Sequence, residues 1–104
     1  MPYTLKQKLT AEFIGTFFMV LSICLTAVFG ASQGVHPAFP VAGTLMVMIY
    51  ALRHVSGAHF NPVVTLSLWI RGATERSEII PYSVVQIIAG ITGAFTSIYI
   101  YTEE

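Results

Sequence analysis

Long stretches of this sequence carry no charge. No Asp, Glu, Lys or Arg occurs between Glu12 and Arg53, from His54 to Ile70, or from Ile79 to Thr102. A helix rises ~1.5 Å per residue, so ~20 apolar residues are needed to cross ~30 Å of hydrocarbon. The first run has room for two crossings and the third for one. The middle run is too short to cross comfortably and too apolar for an ordinary loop. Only 10% of the 104 residues are charged, against about 25% in a typical soluble domain. The pattern predicts an all-α integral membrane protein. It excludes a nucleic-acid surface, because no block of Lys and Arg is present and the formal charges cancel.

Helix one is predicted over residues 9–31, with Thr10 as its cap and Glu12 near the positive end of its dipole. A cleaved signal peptide would use Lys6 and Lys8 as its basic end. The apolar stretch is longer than a signal core, and no Ala-x-Ala site closes it. Cys24 is the only cysteine, so no intrachain disulfide can form, and it reads as a small apolar residue of helix one. Ser32 to Pro37 read as a turn. Helix two follows over residues 40–55, with Pro40 in its first turn.

Residues 56–60, Ser-Gly-Ala-His-Phe, break the helical pattern. Asn61 and Pro62 then supply a helix N-cap and a first helical position. The short helix they open reaches residue 70, where Arg71 suits the negative end and Gly72 can terminate it. At ~1.5 Å per residue it covers about half a bilayer. Helix three is predicted over residues 79–101, with Tyr82, Tyr99 and Tyr101 as interfacial anchors near its ends. Trp69 and Arg71 read as interfacial anchors too. The pairs Ala89-Gly90 and Gly93-Ala94 permit close helix packing.

Topology follows from the five basic residues. With the N-terminus in the cytoplasm, helix one runs out and helix two returns. The middle segment dips to the midplane and comes back, and helix three runs out. Lys6, Lys8, Arg53, Arg71 and Arg76 then all face the cytoplasm, as the positive-inside rule requires. A full crossing by the middle segment would put Arg71 and Arg76 outside. The charges therefore predict three transmembrane helices and one re-entrant half-helix, with the C-terminus on the side opposite the N-terminus.

Irregular backbone at membrane depth must be buried in protein or face water. The carbonyls of residues 57–60 can line an aqueous path. The half-helix aims its positive end at the bilayer centre, where it repels cations and lets neutral dipoles pass. The Asn61 amide adds donors there. Read alone, outside this loop, Asn61 is an ordinary N-cap of an interfacial helix. Glu12 is either a headgroup-level anchor or a buried carboxylate. His54 and His59 lack a carboxylate or Cys partner at ligand spacing, so no metal or cofactor is expected. No nucleophile–base pair or phosphate loop occurs, so no enzyme is expected.

The run Ser56-Gly57-Ala58-His59-Phe60-Asn61-Pro62-Val63-Val64-Thr65 resembles the first Asn-Pro-Ala loop of the major intrinsic protein family, the aquaporins and glycerol facilitators. Ala11 to Phe17 resemble the start of that family's first helix. Gln86, with Ala89, Gly90, Gly93 and Ala94, resembles its third. The resemblance runs along nearly the whole chain and implies a single domain, residues 1–104, equivalent to the first of two inverted repeats. It implies that Asn61 donates to a permeating molecule and that Pro62 and Val63 start the half-helix. It implies that Gly57, Ala58, His59 and Phe60 line the path through their carbonyls. Glu12 would hold the loop from beneath, with Gln86 in the same support. Val41 falls where the family places an outer filter side chain. Val63 stands where Ala is usual, and position 64 is Val where the family's second motif carries Arg.

The implied function is passive passage of water, with glycerol or similar neutral solutes favoured weakly by the small Val41. One repeat cannot enclose a pore. The expected partners are the lipid bilayer and either a second, oppositely inserted copy or a chain with the complementary repeat. The one-sided basic residues argue against the opposed copy. A truncated coding sequence, a non-conducting regulatory subunit and a tetramer of pores are further readings.

Overall fold

A computed structural model describes residues 3–103. Four α-helices run in the order α1 (Leu5–Ile23), α2 (Ala38–Ser56), α3 (Pro62–Ile70) and α4 (Ile79–Thr102). A π-helical turn, Cys24–Val28, extends α1, and a 3₁₀ turn, Arg76–Glu78, precedes α4. No strand is present among the described residues. The helical segments Leu5–Val28, Ala38–Ser56 and Arg76–Thr102 are each long and apolar enough to cross a membrane. The molecule measures 42 × 22 × 22 Å, and its long axis matches a bilayer with headgroups, ~40–45 Å. This is an all-α membrane protein with three spanning helices and one half-helix.

The helix starts follow local chemistry. Thr4, not Thr10, caps α1: its hydroxyl accepts from Gln7 N–H while the Gln7 side chain accepts from Thr4 N–H. This reciprocal box begins the helix four residues before the expected start and absorbs the polar lead. Thr10 instead donates within the helix to the Lys6 carbonyl. At the far end, α1 widens into the π turn and stops before residue 31, where Gly30 takes a positive φ of 76°. Asn61 caps α3 through Oδ1, which accepts from Val63 N–H at 2.7 Å, and Pro62 fills the first position. Gly72, at φ 82°, closes α3: its N–H donates to Trp69 O and Ala73 N–H to Leu68 O. That pair of bonds is a Schellman motif.

α1 and α4 lie side by side and run the same way. At one end Lys8 Nζ meets Glu78 at 2.8 Å, and at the other Phe29 stacks on Tyr101 with centroids 4.4 Å apart. Gly93 on α4 faces Phe17, Val20 and Leu21 of α1 and lets the two backbones approach. A methyl group on Gly93 would lie 2.8 Å from the Phe17 carbonyl oxygen. Lipid is as apolar as leucine, so shape and small residues hold this interface together.

α2 packs on α1, and its last turn returns to the end where α1 starts, with Tyr3 edge-on to His54 at 5.9 Å. The loop after α2 goes inward, and α3 comes back to the 3₁₀ turn beside Lys8. The chain therefore enters and leaves the re-entrant segment at the same end. The basic residues Lys6, Lys8, Arg53, Arg71 and Arg76 flank that end in the element order.

Candidate functional site

Glu12 is fully buried on α1. Its Oε2 accepts from the Ser56 hydroxyl at 2.6 Å and from His59 N–H at 3.0 Å. Its Oε1 accepts from Phe60 N–H at 2.7 Å and from Gln86 Nε2 at 2.9 Å. A carboxylate has about four acceptor sites, and all are used. A buried carboxylate is tolerable only when so satisfied, and hydrogen bonds to a charged acceptor are each worth about 1.5–3 kcal/mol. Glu12 thus lies against the loop, accepting from two of its backbone N–H groups.

The loop it holds has unusual backbone. Gly57, Ala58 and Phe60 take positive φ values of 92°, 56° and 58°. Two of these are non-glycine residues in the left-handed region, where each costs of order 1–3 kcal/mol. The Glu12 bonds to two consecutive N–H groups offset that strain. Phe60 is 2% exposed and its ring lies against Gly15, where a side-chain carbon would overlap it. Gly15 is thus the seat of the loop.

Around this anchor lies a second set of polar side chains. Thr65, fully buried on the first turn of α3, accepts from Gln86 Nε2 at 3.1 Å and lies 2.9 Å from His59 Nδ1. Its hydroxyl also lies 3.3 Å from the Asn61 carbonyl. Tyr82 donates to the Ser56 carbonyl at 2.8 Å, and its ring lies 4.8 Å from that of His59. Tyr82 is therefore a core residue, 1% exposed, and not the interfacial anchor expected of it. The sequence reading missed Thr65 and Tyr82. A signal was available: Tyr82 and Gln86 stand four apart on one helix face, as do Asn61 and Thr65.

Among the described residues, no hydrogen bond ends on the carbonyls of Gly57, Ala58, His59 or Phe60. Asn61 spends Oδ1 on its own helix, and its amide N–H groups have no partner among the described residues. Asn61 is exposed and Val63 is 69% exposed. Among the described residues the loop thus has four unpaired carbonyls followed by two unpaired amide N–H groups at the positive end of a half-helix. The structure brings Glu12, Gln86, His59, Phe60 and Asn61 together in one cluster. Val41 stands apart, half-buried in the first turn of α2.

The family model for major intrinsic proteins matches residues 2–104. The chain belongs to the major intrinsic protein family. Among its relatives in that family, the Aquaporin Z of Photorhabdus laumondii is 44% identical, the match covering 85% of this chain and 41% of that protein. The Aquaporin Z of Brucella melitensis is 39% identical over the same shares. This major intrinsic protein therefore spans less than half the length of the curated relatives it matches.

Proposed function

We propose that the chain forms half of a passive channel for water and small neutral solutes such as glycerol, completed by a partner repeat. The observation that carries this reading is the row of free carbonyls at residues 57–60 ending at the free Asn61 amide. Each unsatisfied backbone group at membrane depth costs several kcal/mol. Four in a row are affordable only along water. A water or polyol molecule accepts from the Asn61 amide and donates to the carbonyls in turn. The positive end of α3 opposes a cation at the same point.

The half-channel reading rests on the exposure of Asn61 and Val63. Nothing among the described residues covers the tip of α3, and a second half-helix meeting it there would close the path. The orientation we propose puts the N-terminus and the basic end in the cytoplasm, in a plasma or inner membrane. The C-terminus then lies opposite. The printed names of the two relatives, both Aquaporin Z, favour water as one solute. Val41 near the outer mouth leaves room for glycerol.

The test is osmotic shrinkage of liposomes in stopped flow. One set holds the chain alone and a second holds it with the complementary repeat of the Photorhabdus relative. The reading predicts flux above protein-free vesicles in at least one set. Lipid-baseline flux in both, with insertion and pairing verified, overturns it in favour of a non-conducting subunit.

A further inference from the structure

Among the described residues, two buried side-chain oxygens, Thr16 Oγ1 and Gln86 Oε1, have no hydrogen-bond partner. Thr16 is 4% exposed and Gln86 2%. Buried polar atoms are nearly always paired, and an unpaired one is costly in a low-dielectric core. The Gln86 oxygen is fixed by its neighbours. Its Nε2 donates to Glu12 Oε1 at 2.9 Å and to Thr65 Oγ1 at 3.1 Å. Turning the amide over would set oxygen against the carboxylate and lose both donors, so Oε1 stays as it is.

Thr16 departs from the habit of the other helical threonines. Thr10, Thr44, Thr92 and Thr96 each donate to the carbonyl four residues earlier, the ordinary outlet for a hydroxyl on a helix. Thr16 makes no such bond. Its place follows from the row Glu12, Thr16, Val20, four apart along one face of α1. Both ends of the row touch α4: Glu12 meets Gln86, and Val20 faces Gly90. Thr16 therefore lies on the same seam, one helical turn, ~5.4 Å, beyond Glu12. Between those two contacts α4 carries Ala89 and Gly90, both small. Within 4 Å, a methyl group on Gly90 would meet Val20 alone, at 3.7 Å.

We propose that one buried water bridges these two atoms, accepting from the Thr16 hydroxyl and donating to Gln86 Oε1. Two hydrogen bonds of ~2.8 Å reach ~5.6 Å, comparable to one helical turn. Buried waters sit where two to four polar groups lack other partners. This water is structural. It locks Gln86, and through Gln86 the Glu12 carboxylate and Thr65. It stands apart from the carbonyl row at residues 57–60 and requires neither a partner repeat nor conduction.

A crystal structure of the full chain, at a resolution that shows ordered water, tests this together with the unfolding equilibrium of Thr16→Val. Valine has the shape of threonine without the hydroxyl. One water peak within hydrogen-bond distance of both atoms is expected in the unaltered chain, and none in Thr16→Val. The unfolding constant of Thr16→Val should rise about fivefold, because Gln86 Oε1 loses its partner. A hydroxyl that served no water would behave in the opposite way. Valine would then leave stability unchanged or raise it, since an unpaired polar group is removed, and that result overturns the proposal. A Thr16 hydroxyl seated on the Glu12 carbonyl with no water beside it overturns it too. So does a water on Gln86 that persists in Thr16→Val. Should Thr16→Val fail to fold, Thr16→Ser keeps the hydroxyl and should keep the peak; a Thr16→Ser structure without it overturns the proposal.

Discussion

At the scale of single residues, the account turns on Glu12 and Gly15. Glu12→Gln keeps the size of the side chain but replaces one acceptor with a donor, aimed at groups that themselves donate. At least two of the four donors then lose their partner, at ~1–3 kcal/mol each. We expect Glu12→Gln to lower unfolding stability in detergent by roughly 3 kcal/mol and to speed amide hydrogen exchange at His59 and Phe60 in particular. Unchanged exchange at those two amides would remove Glu12 from its supporting role. Gly15→Ala puts a methyl group into the space of the Phe60 ring and should cost about 1–3 kcal/mol by overpacking. Combining it with Phe60→Leu should recover part of that loss, since the two positions share one contact. Additive losses in the double variant would show that they are independent. The Asn-Pro turn was legible in the sequence because capping chemistry is local. The Glu12 network was legible only through family resemblance, since its members lie up to 74 positions apart. Tyr82 misled because a tyrosine near a helix end has the look of an anchor until its neighbour Gln86, one turn on, is known to be buried.

At the scale of elements, the three spanning helices are written in the charge-free runs, and the half-helix in the basic residues that flank it. Their ends were harder to read. The capping box of Thr4 and Gln7 recruits Lys6 and Lys8 into α1, although both look like a polar lead. Thr4→Ala should therefore cost about 1 kcal/mol of stability and fray the first turn, while Thr10→Ala should leave that turn intact. Nuclear magnetic resonance chemical shifts of residues 5–8 separate the two outcomes. Nothing in the side chains of Cys24 to Val28 announces the π turn. The α1–α4 interface depends on Gly93, where an added methyl would press on the Phe17 carbonyl. Gly93→Leu should separate the helices and reduce the yield of folded chain. Substitution at Gly43, where nothing lies within 4 Å, should be tolerated in the same expression assay.

At the scale of the whole molecule, one repeat leaves its chemistry uncovered. The tip of α3 is exposed, while the Glu12 carboxylate beneath it has all four acceptor sites filled and Gln86 Oε1 is left buried without a partner among the described residues. That asymmetry is what a half-channel needs: a rigid floor under a row of free acceptors and donors. The basic residues all flank one end, so two identical chains inserted in opposite senses would set one of them against the charge rule. A partner of opposite bias fits better. Which solute passes was not legible, because a filter is shaped by both halves and the resemblance assigns only Val41 of this one to it. The most direct test of the central claim is water flux through liposomes holding the chain with a complementary repeat, measured for the unaltered chain and for Asn61→Asp. Aspartate keeps the cap on Val63, so α3 still starts there, but it removes both amide donors and adds a negative charge. The account predicts flux falling to the lipid baseline in Asn61→Asp with assembly unchanged. Flux equal to that of the unaltered chain would contradict it and move the path away from the re-entrant turn.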